Sequence, residues 1–169
     1  MRDTGYILKF IIVVIAQILL SNYFNFSHYV TLTILPAAIL LLPIQRNTLF
    51  AMILAFVTGF LVDYFADGML GLTSLSLVPV AFARKGIIRF VCGSEVFSRE
   101  ENLSVQKNGV AHLFFTILIA SVLYFLVYIW ADGAGTRPFW FNCAKFFASL
   151  AASSIFSVMV CFILRPDSQ

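Results

Sequence analysis

The chain reads as six apolar runs, at about 6–20, 28–44, 49–66, 70–83, 110–130 and 141–164, separated by short polar breaks. A helix that crosses a bilayer needs roughly 20 apolar residues at a rise of ~1.5 Å each. The fifth and sixth runs meet that length and the third nearly does. The fourth is short unless it continues to about 91, with Arg84 and Lys85 snorkelling to the headgroups. Pro79 lies inside it, so a re-entrant hairpin is the other reading. The pattern predicts an all-α integral membrane protein, one transmembrane domain of six helices over residues 1–169.

Composition sharpens this. Hydrophobic residues make up 61% of the chain and charged residues 11%, against about half and about a quarter in a soluble domain. A net charge of +3 carries no nucleic-acid signal. The distribution of Lys and Arg matters more. With both termini in the cytoplasm, nine basic residues (Arg2, Lys9, Arg46, Arg84, Lys85, Arg89, Arg99, Lys107 and Arg165) fall inside and two (Arg137 and Lys145) outside, a strong positive-inside bias. Tyr23, Phe24, Tyr29, Tyr64, Trp130 and Trp140 then gather at the outer boundary. Arg2 before an apolar run imitates a secretory leader. No small-x-small site follows Leu20, however, and the run reads as an uncleaved first helix.

The polar connection 84–109 opens with alternating basic and apolar residues, as on an interfacial amphipathic turn. It reads either as a solvated loop against anionic headgroups or as a docking site for a cytoplasmic partner. Cys92, Cys143 and Cys161 have neither disulfide nor metal-ligand spacing and read as small apolar filler. His28 and His112 fall on opposite sides of the membrane, so no nucleophile–base arrangement forms and no cofactor or metal is expected.

Packing is written in small residues. Ala51, Ala55 and Gly59 recur every fourth position and lead to Asp63 and Asp67; Ala144, Ala148 and Ala152 form a second row, with Ser149, Ser153 and Ser157 beside it. Such rows let membrane helices approach closely. Asp63, about one turn before the outer end of the third helix, matches Lys145 in depth. The expectation is a partly buried Asp63–Lys145 pair joining the third and sixth helices. The other readings are a water-facing Asp63 with Asp67-Gly68 as a turn, and catalysis. Asp63-x-x-x-Asp67-Gly68 superficially resembles the metal site of membrane alcohol phosphotransferases, but their following Ala-Arg and second aspartate pair are missing.

Gly59-x-x-x-Asp63, then a short gap, Leu70-Gly71-Leu72 and Leu75, in a small six-span chain, resembles the MreD family, rod shape-determining membrane proteins of bacteria. The architecture is similar over nearly the whole chain and the residue pattern over Gly59–Leu75. The resemblance implies a non-enzymatic scaffold in the bacterial inner membrane. Its partners would be an MreC-like bitopic protein and, indirectly, an MreB-like filament and the elongation-specific glycan polymerase and transpeptidase of peptidoglycan synthesis. Residues Gly59, Asp63, Asp67, Gly68, Leu70, Gly71 and Leu72 would form the partner-binding or structural region. The alternative is a substrate-binding subunit of an energy-coupling vitamin transporter, which the architecture also resembles, with Asp63, Asn22, Asn25, His28 and Asn142 lining an outer pocket.

Overall fold

The computed structural model describes residues 2–23, 31–40, 42, 47–67, 70–92, 105–133 and 139–163. Among them every regular element is helical: α1 (Arg2–Tyr23), α2 (Leu35–Leu40), α3 (Thr48–Val62) continued by a π-helical turn (Asp63–Asp67), α4 (Leu72–Cys92), α5 (Val105–Gly133) and α6 (Phe139–Ile163). Two stretches, Thr48–Ala66 and His112–Gly133, are long and apolar enough to cross a membrane. α4 packs along both α3 and α5, α5 packs along α6, and α1 lies against α2, α3 and the π turn.

The fourth run is neither short nor re-entrant. It is one helix of 21 residues that passes through Pro79 and ends at Cys92. The polar connection therefore shrinks: α4 and α5 take up most of 84–109, and 93–104 lie outside the described residues.

The second run departs most from expectation. No helix covers 28–44. Thr31–Ile34 is extended, and helix is confined to the six residues of α2, all of them buried. Pro36 supplies the reason. In a continuous helix its missing N–H would leave the carbonyl of Leu32 without a donor. That carbonyl instead accepts from Gln17 Nε2 of α1 at 3.0 Å, while Gln17 Oε1 accepts from Ile34 N–H at 2.8 Å. From the other side, Ser149 Oγ of α6 accepts from Thr31 N–H and Ser153 Oγ accepts from Thr33 N–H, each at 3.0 Å. Gln17, Ser149 and Ser153 are 2%, 0% and 0% exposed. Three side chains thus substitute for the ladder that an extended strand would find in a sheet, and α2 is held at the centre against α1, α4, α5 and α6.

The same bonds fix which face of α6 turns inward. Lys145, Ser149, Ser153 and Ser157 are buried, whereas Ala144 is exposed and Ala148 and Ala152 are only half-buried. The alanine row is not the packing face; the serine row is, because the extended segment needs acceptors and donors that alanine lacks. On α3 the expected row holds: Ala51, Ala55, Gly59 and Asp63 are all buried.

A mainly apolar core takes in several polar and charged side chains, while many large apolar ones cover the outside. Ile11, Ile12, Ile15 and Leu19 of α1 and Ile53, Phe56, Val57 and Phe60 of α3 are exposed, while Gln17, Thr58, Asp63, Arg84 and Lys145 are buried. Soluble monomers rarely expose so many large apolar side chains together.

Replacing Ser149 or Ser153 with Ala should cost about 1–3 kcal/mol each, because a buried N–H of the extended segment loses its acceptor. Ala144→Ser, on the exposed side, should stay within about 0.5 kcal/mol. Thermal unfolding in detergent micelles measures both. Equal effects at the three positions would remove the serine row from its role.

Candidate functional site: the Asp63 joint

α4 begins without a side chain to cap it. Gly71 holds the Ncap position, since its carbonyl accepts the first helical bond, from Leu75 N–H at 2.8 Å. It sits at φ +96°, where a Cβ would be strained. Glycine thus allows the sharp entry into the helix, but it offers no oxygen to the free amides of the first turn.

Asp63 supplies that oxygen from the preceding helix. Its Oδ2 accepts from Gly71 N–H at 2.9 Å and Thr73 N–H at 3.0 Å, with a longer bond from Ser74 N–H at 3.4 Å; Oδ1 accepts from Thr73 N–H at 3.1 Å. The carboxylate is 0% exposed. A negative charge at the C-terminal end of α3 opposes that helix's dipole. The same charge lies at the N-terminus of α4, where the dipole and the amides favour it. The second effect prevails because it adds direct, charge-assisted hydrogen bonds.

Two further features bring the carboxylate into range. Gly59 allows the close approach: a Cβ there would lie 2.6 Å from both the Cα and the N of Ser74. Ser74 Oγ then donates to Phe56 O at 3.1 Å, tying the first turn of α4 to α3. The chain also widens into its π turn at Asp63, a local rearrangement of the kind that re-aims side chains. Asn22 Nδ2 donates to Phe65 O of that turn at 3.3 Å, fastening α1 to it. Gly59, Asp63 and Gly71 therefore form one structural joint. Around it Tyr64, Phe65 and Leu70 are exposed, and Leu72 is half-buried. The side chain of Asp67 and all of Gly68 lie outside the described residues.

The expected Asp63–Lys145 pair is not formed. Lys145 Nζ meets Asp132 Oδ2 at 2.9 Å instead. Asp132 lies in the last turn of α5 and Lys145 in the second turn of α6, so closing this hairpin costs little chain entropy. Both oxygens of Asp63 are turned to the amides of α4 instead.

α4 does continue past Arg84, yet Arg84 turns inward and does not snorkel. It is 1% exposed, and its Nε donates to Leu40 O at 3.4 Å and its Nη2 to Leu42 O. A guanidinium thus closes the C-terminal end of α2, the charge-reversed counterpart of Asp63 at the start of α4. Arg84 lies in step with Leu77, Val80, Ala81 and Ile88, all buried. That i, i+3, i+4 spacing already places it on the inward stripe. Gln17 follows Phe10 and Val13 in the same way.

The side chains suggested for a transporter pocket do not converge among the described residues. Asp63 is engaged by α4, Asn22 bonds Ile18 O and Phe65 O, and Asn142 lies beside Gly133 at the α5–α6 turn. Asn25 and His28 lie outside the described residues. Comparison of the chain with protein-family models, curated proteins and solved structures gives no match.

Asp63→Ala should destabilise by about 2–4 kcal/mol, by uncapping buried amides, and Asp63→Asn by less, since one oxygen remains. Gly59→Ala should cost about 1–3 kcal/mol by overpacking. The Asp132→Lys/Lys145→Asp exchange should recover stability lost by either single change, while Asp63→Lys/Lys145→Asp should recover none. Unfolding midpoints of the purified variants separate these cases.

Proposed function

We propose that this chain is a non-enzymatic, multi-pass scaffold of the bacterial inner membrane that serves the cell-elongation machinery in the manner of MreD. In this reading six helical segments are embedded in the bilayer with both termini in the cytoplasm. The chain works through contacts with an MreC-like bitopic protein. Through that protein it acts on an MreB-like filament and on the glycan polymerase and transpeptidase that build side-wall peptidoglycan.

The observation that carries the reading is the fate of Asp63. The polar residue at the heart of the MreD-like pattern is spent on the N-terminus of α4, with Gly59 and Gly71 making room for it. A carboxylate engaged in this way holds α3 to α4 and so maintains a shape. What the joint presents outward is apolar: Tyr64 at 65%, Phe65 at 58% and Leu70 at 61% exposure. Such a surface suits another membrane helix. The buried extended segment supports a bilayer setting too, since non-helical backbone at membrane depth is tolerated only inside protein. The positive-inside charge pattern agrees.

Purification of the tagged chain from its native membranes in mild detergent, with co-eluting proteins identified by mass spectrometry, tests this directly. The expected result is an MreC-like protein with cell-wall synthases. A photocrosslinker at Tyr64 or Leu70 should trap the bitopic partner, and one at Ile155 of α6 should not. Recovery of a coupling subunit with its ATPases would overturn the scaffold in favour of a vitamin-transporter subunit.

A further inference from the structure

The outward face of α4 changes character along its length. Leu75 and Phe82 stand on it at 58% and 68% exposure, opposite the buried Leu77, Arg84 and Ile88. Beyond Phe82 the face gains two cations, the half-buried Lys85 and the exposed Arg89. Four residues apart, they lie one turn above the other along the helix. Phe82, Gly86 and Phe90 share that spacing and form a second line beside them, ending on Phe90 at 85% exposure.

Gly86 is the residue here without a structural reason. Gly59 admits the backbone of Ser74, and Gly71 takes a positive φ. Gly86 does neither: it lies within a helix, and a Cβ on it would meet no atom within 4 Å. Glycine weakens a helix interior relative to alanine. What it leaves on this surface is a gap between two exposed phenyl rings, with the cations alongside. The cations have no counter-charge among the described residues. Asp63 is bound by the amides of α4 and Asp132 by Lys145, and neither Lys85 nor Arg89 makes an ion pair or hydrogen bond with a described residue. Glu95, Glu100 and Glu101 lie in 93–104, outside the described residues.

We propose that this end of α4 binds an anionic phospholipid of the inner leaflet. Its phosphate accepts from Lys85 and Arg89, and the start of an acyl chain fills the gap at Gly86 between Phe82 and Phe90. Cationic donors on adjacent turns complement a negative headgroup, and phenyl rings suit the acyl region below it. The depth agrees: Arg89 is 17 residues beyond Leu72, ~26 Å along the axis, near the edge of a ~30 Å hydrocarbon core. The inference rests on the bilayer setting and orientation of the proposed function and on none of its protein partners.

The test uses the full chain in phosphatidylcholine vesicles containing phosphatidylglycerol, with one lipid or the other dibrominated as a contact quencher. A Phe90→Trp reporter, combined with Trp130→Phe and Trp140→Phe, reads the lipid at this end of α4. In the otherwise unchanged chain, the exposed Trp130 and Trp140 read contact with the bilayer. The reporter should prefer phosphatidylglycerol about fivefold or more, as expected of one or two cations at a membrane surface. Lys85→Gln/Arg89→Gln should abolish the preference. Gly86→Leu keeps both cations and suits a helix better, so it should fold and yet lose preference by filling the gap. Equal quenching by the two lipids, or a preference that survives either change, would overturn the site. If Trp130 and Trp140 were still quenched, the bilayer setting would stand. No quenching at any tryptophan would overturn both.

Discussion

Backbone amides and carbonyls that leave a regular helix must be paired again wherever water is excluded, and the fold is arranged around that requirement. Among the described residues three breaks of this kind are met by side chains from elsewhere. Gln17, Ser149 and Ser153 pair the extended Thr31–Ile34. Asp63 pairs the first amides of α4, and Arg84 the last carbonyls around α2. Five of the buried polar residues, Gln17, Asp63, Arg84, Ser149 and Ser153, are thus the complements of these interruptions. An apolar residue at any of them would leave backbone groups stranded at a cost of about 1–3 kcal/mol or more.

The two charged complements follow one electrostatic rule with opposite signs. A helix presents partial positive charge at its start and partial negative charge at its end. Asp63 faces a start and Arg84 an end, so both charges are buried without needing each other. This also explains why the Asp132–Lys145 pair stays separate, within the α5–α6 hairpin. Each buried charge is met locally, Asp63 by the amides of α4, Arg84 by carbonyls at the end of α2 and Lys145 by Asp132.

Much of this was legible in the residues. The apolar runs mark α1, α3, α5 and α6, and the row Ala51, Ala55, Gly59, Asp63 names the inward face of α3. Asp63 stands out in the sequence, but its partner does not, because backbone amides carry no sequence code. Depth matching pointed instead to Lys145, the nearest opposite charge. The break at Thr31–Ile34 could have been read from Pro36, whose ring forbids the helix that hydropathy alone suggests. Gln17 and Arg84 could have been read from their places on buried stripes. The choice of serines over alanines on α6 could not: both rows have the same spacing, and only the position of a segment more than a hundred residues upstream decides between them.

That separation bears on how the molecule is made. Thr31 finds its acceptor 118 residues later, on Ser149, and Thr33 finds its own 120 residues later, on Ser153. A chain delivered from its N-terminus must hold this segment in some provisional arrangement until the last helix arrives. Long-range closure of this sort is slow and leaves polar backbone waiting. The final helix therefore completes the first third of the protein, and a chain ending before it would lack what that third requires.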